Sequence, residues 1–241
     1  MNGAAFDLFT LCLLLTLTIL LPAIGVWDYR RLMQRLREDR DNARLEAYLW
    51  TIGLQWTLTL GFLGWWFLLG GELAPLRLVP AAEGLQWLII GAGVAACALI
   101  LLQMAAVLRS PEKLDEVRRQ AGDMCGIAPQ STKEKRVFVL LAITAGICEE
   151  ILFRGLLMAA LAEVAGTWPA VVLSTAIFGL GHAYQGWKGI GKTAAAGLVM
   201  ALLAVGSGSL FVPILLHAVG DLTSGHMLGK ASRGVPLRQD A

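Results

Sequence analysis

Apolar residues in this chain run in unbroken blocks of roughly 20, the length a helix needs to cross a bilayer core about 30 Å thick. That feature excludes a water-soluble globule, because one hydrophobic core cannot absorb such blocks one after another. The blocks are continuous Leu/Ala/Val/Gly runs without period-two alternation, which argues against a transmembrane barrel. With 56% hydrophobic against 16% charged residues, disorder is excluded as well. The expected fold is all-α, a polytopic membrane helix bundle with about seven transmembrane helices.

The expected spans are approximately Leu8 to Trp27, Ala47 to Gly70, Trp87 to Val107, Val137 to Ala162, Trp168 to Ala183, Thr193 to Val205 and Leu210 to Leu228. No Lys or Arg precedes the first block and no small-residue cleavage site follows it, so it reads as a retained span rather than a signal peptide. Asp28 to Glu46 reads as an amphipathic helical linker lying at the membrane surface, and a short surface helix is expected after Ser110-Pro111-Glu112. Lys188 and Lys192 fall in a Gly-rich stretch read as a turn.

The basic residues fix an expected orientation. Alternate loops and the tail hold 18 of the 20 Lys and Arg, leaving Arg77 on the other side and Arg154 inside a span. The amino terminus is therefore expected outside and the carboxyl terminus in the cytoplasm. The organisation reads as a three-span region with surface linkers over 1–136, a four-span core over 137–228 and a cytoplasmic tail over 229–241. A net charge of +2, divided among short loops, gives no nucleic-acid footprint. Cys12, Cys97 and Cys148 lie in apolar segments and Cys125 in a polar loop, so no disulfide framework is implied. The partners expected are the lipid bilayer and something embedded in it. A bacterial inner membrane is the expected location, because the chain is compact and carries no added targeting segment.

Ionisable groups inside hydrocarbon are expensive, roughly 2.5–3.5 kcal/mol at a helix centre, so each needs a partner or a purpose. The second half of the chain gathers Glu149, Glu150 and Arg154 on one span, Phe178-Gly-Leu-Gly-His182 at the end of the next, and His217 and Asp221 on the last. Residues four apart share a helix face, so Glu150 can pair with Arg154, His217 with Asp221, and Phe178 lies beside His182. Glu149 has no intrahelical cation and must look toward another helix. Counted from the outer span ends at 1.5 Å per residue, Glu149 and His182 lie about 21 Å deep, Asp221 about 18 Å and His217 about 12 Å. Three helices thus contribute polar groups to one buried layer, with Gly146, Gly155, Gly179, Gly181 and Gly220 allowing close approach. Cys148 reads as a packing residue and His226 as interfacial.

These three motifs, Glu149-Glu150-x-x-x-Arg154, Phe178-x-x-x-His182 and His217-x-x-x-Asp221, resemble those of the CPBP family of intramembrane proteases, which includes CAAX-processing endopeptidases and the bacteriocin-related Abi proteins. The resemblance covers about Val137 to Leu228 and does not extend to the first three spans. It implies an intramembrane endopeptidase acting on a membrane-associated peptide or protein. In it the residues matching Glu149 and His182 activate a water, and those matching His217 and Asp221 stabilise the oxyanion or hold the site. Glu150, Arg154 and Phe178 would lend structural support. Many relatives carry Asn where this chain has Asp221, whose charge suits an imidazole or a metal better than an oxyanion.

Elementary chemistry agrees, since a carboxylate in a low-dielectric site is suited to take a proton from water and return it to a leaving amine. Zinc could in principle use one carboxylate and two histidines, but the H-E-x-x-H spacing is absent, so no metal or other cofactor is expected. Two other classes would use the same residues differently. A proton- or ion-coupled transporter also needs mid-membrane carboxylates and histidines, and a non-catalytic immunity or scaffold protein could keep the fold without turnover.

Overall fold

In a computed structural model of the chain, residues 3–78 and 84–232 are described. Arg233, Arg238 and Pro80 lie outside the described residues. Among the described residues there is no strand, and every expected span is helical. Helix α1 is continuous over residues 3–37, made of Gly3–Leu15, a π-helical stretch Thr16–Leu20 and Leu21–Arg37. It is followed by α2 (Ala43–Leu68), α3 (Leu85–Leu108) and the short α4 (Pro111–Ala121). Helix α5 covers residues 132–165, again interrupted by a π-helical stretch, Ile151–Leu157. Three more complete the bundle: α6 (Thr167–Gly181), α7 (Gly186–Ser207) and α8 (Phe211–Ala231).

Local chemistry sets several of these boundaries. Ser131 and Glu134 form a reciprocal capping box at the start of α5, and Ser110 accepts from the Lys113 amide with Pro111 in the first turn of α4. Between α5 and α6 the chain reverses at Gly166, whose φ of 84° is open to glycine and strained for other residues. A strap over residues 71–78 is tied down by Trp66 Nε1, which donates to the Glu72 carbonyl, and by the Leu210 amide, which donates to the Arg77 carbonyl.

Among the described residues three helices have the length and apolarity to cross a membrane, namely Phe6–Arg37, Leu85–Leu108 and Ala183–Ser207, with Thr167–Gly181 a shorter apolar helix. Polarity is distributed as a membrane requires. Leu60, Leu68, Leu88, Leu102 and Val172 are exposed, while Glu150, Arg154 and Ser174 are fully buried. The main core surrounds the π stretch of α5, where all seven residues are buried against Phe9, Leu13 and Leu17 of α1 and Phe178 of α6. Around it α2 and α8 flank the first half of α5, α6 packs on α7, and α3 packs on α8.

Two boundaries differ from those read in the sequence. The linker expected over Asp28 to Glu46 is helical over most of its length, but as the end of α1 through Arg37 and the start of α2 at Ala43, with a short connection between, rather than as a separate surface helix. Helix α7 begins at Gly186, placing Lys188 and Lys192 on its first turns rather than in a turn. Glycines weaken a helix by about 1 kcal/mol each in water, but backbone groups at or below a membrane surface gain more from internal hydrogen bonds than that penalty removes. Of the glycines expected at close contacts, Gly146 and Gly179 sit tightly against α8 and α7, whereas Gly220 faces open space.

Candidate active site

Glu149 lies on the last α-helical turn before the π stretch of α5. Its Oε1 accepts a hydrogen bond of 2.7 Å from Gln55 Nε2 on α2. Its Oε2 is buried and has no hydrogen-bond partner. Two imidazole nitrogens face that oxygen from two other helices, His182 Nε2 at 3.9 Å and His217 Nε2 at 3.8 Å. Asp221 Oδ2 stands 3.7 Å from the same His217 nitrogen and is the most open member of the group, with its side chain 44% exposed. Glu149, His182, His217 and Asp221 are therefore brought together.

Each ring is held from behind. His182 closes α6, and its Nδ1 lies 3.0 Å from the Phe178 carbonyl, which can only accept. Nδ1 is thus the donor in that contact, and Nε2 faces Glu149. His217 Nδ1 lies 2.8 Å from Glu150 Oε1, a bond that turns its Nε2 toward Glu149 and Asp221. Glu150 is fixed in turn by Arg154, whose Nη1 donates to the same Oε1 at 3.1 Å while both side chains are 0% exposed. Arg154 Nη2 donates to the Gly197 carbonyl of α7 at 3.0 Å, and the guanidinium sits 4.0 Å from the Phe178 ring centroid. Phe178 also contacts both histidine rings, at 4.9 Å from His182 and 5.9 Å from His217. Each of the adjacent carboxylates has a buried Oε2 without a hydrogen-bond partner, but Glu150 is tied through Oε1 to Arg154 and His217, whereas Glu149 turns its Oε2 toward the two Nε2 atoms.

A cleft of about 120 Å³ reaches this group from between α1 and α2. Leu21, Ile24 and Gly25 form one wall, Trp50, Leu54 and Gln55 the other, and Glu149, His182 and Tyr184 the inner end. Asp28 and Trp50 join it to an outer cavity of about 200 Å³ that carries Arg31, Arg35 and Glu46. The inner end thus combines a carboxylate, one imidazole and an access route, and the second imidazole, His217, stands 3.8 Å from Glu149 Oε2 without lining the cleft. Those groups can accept a proton from water, return it, and orient a carbonyl.

Cys148, although next to Glu149, is fully buried, and His226 is exposed on α8. Two residues of the site escape the sequence reading, Gln55 and Tyr184. Gln55 left a signal, an uncharged amide deep in an apolar span about 18 Å from the start of α2. The donor pairs around Glu149 Oε2 and His217 Nε2 stand 3.7–3.9 Å apart, and among the described residues no group of three His, Cys, Asp or Glu side chains is arranged to hold a metal ion.

Residues 133–223 match the family model described as type II CAAX prenyl endopeptidase, Rce1-like. This is a family of proteases, and the matched segment contains Glu149, Glu150, Arg154, Phe178, His182, His217 and Asp221 but none of α1, α2 or α3. No curated protein and no solved structure matches the chain.

Proposed function

We propose, from the Rce1-like match of residues 133–223, that this integral membrane protein is an intramembrane endopeptidase hydrolysing a peptide bond in a membrane-associated peptide or protein. One observation carries the reading. The unpartnered Oε2 of Glu149 faces the Nε2 atoms of His182 and His217, each on a different helix, at the end of a cleft. In the proposed reaction the water to be activated supplies a donor to that oxygen.

In the proposed reaction a water donates to Glu149 Oε2 and is oriented by the His182 Nε2 lone pair. As its oxygen attacks the scissile carbonyl carbon, its proton passes to Glu149. The carbonyl oxygen becomes the tetrahedral oxyanion, which accepts from Nε2–H of His217 when that ring carries both protons. Asp221 acts through His217, not on the oxyanion itself, since a carboxylate repels it. Collapse of the intermediate breaks the C–N bond, and Glu149 returns the proton to the leaving amine. No step uses a metal.

The substrate would reach the site along the cleft between α1 and α2, with its apolar part against Leu21, Ile24 and Leu54. The partition of basic residues supports seven crossings, the amino terminus outside and the carboxyl terminus in the cytoplasm.

The test is cleavage of membrane peptides by purified protein in detergent, with products identified by mass spectrometry. Glu149→Gln and His182→Ala are each expected to lower kcat on the order of 10²–10⁴-fold. Cleavage at the wild-type rate by either variant would overturn the assignment. Activity that disappears with a chelator and returns with added metal would replace this water-activation scheme by a metal-dependent one.

A further inference from the structure

We infer that Gln55, on a helix outside the family-matched segment, is a positioning residue of the active site: its amide holds the Glu149 carboxylate so that Oε2 faces the two histidines. The inference rests on the proposed endopeptidase reading for its kinetic consequence, and on geometry alone for the contact.

Three observations carry it. Gln55 Nε2 donates to Glu149 Oε1 at 2.7 Å, in the short range of hydrogen bonds to a charged acceptor. Gln55 is only 8% exposed, on a helix whose neighbouring positions are apolar. Its own Oε1 is buried and has no partner. A residue present only to pack α2 against α5 would do better as Leu or Met, because a half-satisfied buried amide is worse than an apolar side chain of the same size. The orientation of the amide is not arbitrary, since turning it over would set its oxygen against a carboxylate oxygen.

The consequence is directional. A carboxylate has two oxygens that exchange places on rotation about its last torsion, and either could meet the imidazoles. Gln55 fixes one oxygen on α2, so the other is kept 3.8–3.9 Å from the two Nε2 atoms. Thereby α2 completes a site whose chemical groups all come from α5, α6 and α8.

The test compares Gln55→Leu with wild type by steady-state cleavage and by infrared spectroscopy. The carboxylate bands of Glu149 are identified as those lost in Glu149→Gln. The expected result is a tenfold to hundredfold lower kcat with KM changed by less than about twofold, together with a shift of the Glu149 bands. A purely structural role would lower the unfolding temperature and the active fraction while leaving those bands in place, and that result overturns the inference. Gln55→Asn, one methylene too short to span the contact, supplies the same two readings if Gln55→Leu does not fold. Bands that shift in a protein that cleaves no peptide would uphold the Gln55–Glu149 contact and sink the endopeptidase reading instead.

Discussion

Glu149 and Glu150 are neighbours in sequence and point about 100° apart around one helix, which is enough to give them opposite circumstances. Glu150 shares Oε1 between Arg154 and His217, and Arg154 in turn reaches Gly197 on α7, so a single buried ion pair ties α5, α7 and α8. Removing one member of such a pair strands the other charge. Arg154→Met is expected to destabilise the protein by about 3–5 kcal/mol in reversible detergent unfolding, and adding Glu150→Leu to it should recover part of that loss. A double variant less stable than Arg154→Met would refute this account. The pair was legible in the sequence because both residues are charged, four apart and flanked by apolar positions. So was the requirement that Glu149 look outward. Its partner on α2 was not, because Gln55 is uncharged and lies 94 residues away in the chain, where helical periodicity carries no information.

At the scale of elements, helix proximity does what the side chains alone cannot. A methyl group at Gly146 would stand 2.9 Å from the Ile214 carbonyl oxygen and 3.0 Å from the Ala218 amide nitrogen, both backbone atoms of α8 that cannot rotate aside. Gly64 on α2 has nothing within 4 Å of that position. Gly146→Ala is therefore expected to cost about 1–3 kcal/mol and to lower activity by moving His217 from Glu149, while Gly64→Ala should be neutral or stabilise by up to about 1 kcal/mol. Equal effects of the two substitutions on unfolding would remove the packing argument. The helices themselves were readable from the apolar blocks, and the capping signal at Ser110-Pro111 located α4. The boundaries of α1 and α7 differ from the sequence reading because a charged stretch reads as a separate surface helix and glycine as a turn, whereas a helix leaving a membrane keeps its hydrogen bonds through both. The π stretches were not readable, since Ile151–Leu157 has the composition of ordinary helix and its wider turn depends on packing against Phe9 and Phe178.

For the whole molecule, the proposed topology makes the loops distinguishable from either side of the membrane. Reporter domains fused after Arg119 and after Ser232 should be active only as cytoplasmic fusions, and one inserted at Glu72 only on the outside; a reversed pattern would overturn the orientation. On the proposed reading, the length of the first helix sets where a substrate would begin its approach. The stretch Phe6–Arg37 has 32 residues, about 48 Å of helix, against an acyl layer of about 30 Å. Even steeply tilted it outruns the hydrocarbon, and the surplus falls at its basic end, where Asp28, Arg31 and Arg35 line the outer cavity. On the proposed reading that vestibule sits among lipid headgroups, and a chain bound for hydrolysis would descend from phosphate level along a wall of the protein instead of sliding in sideways from the oily middle.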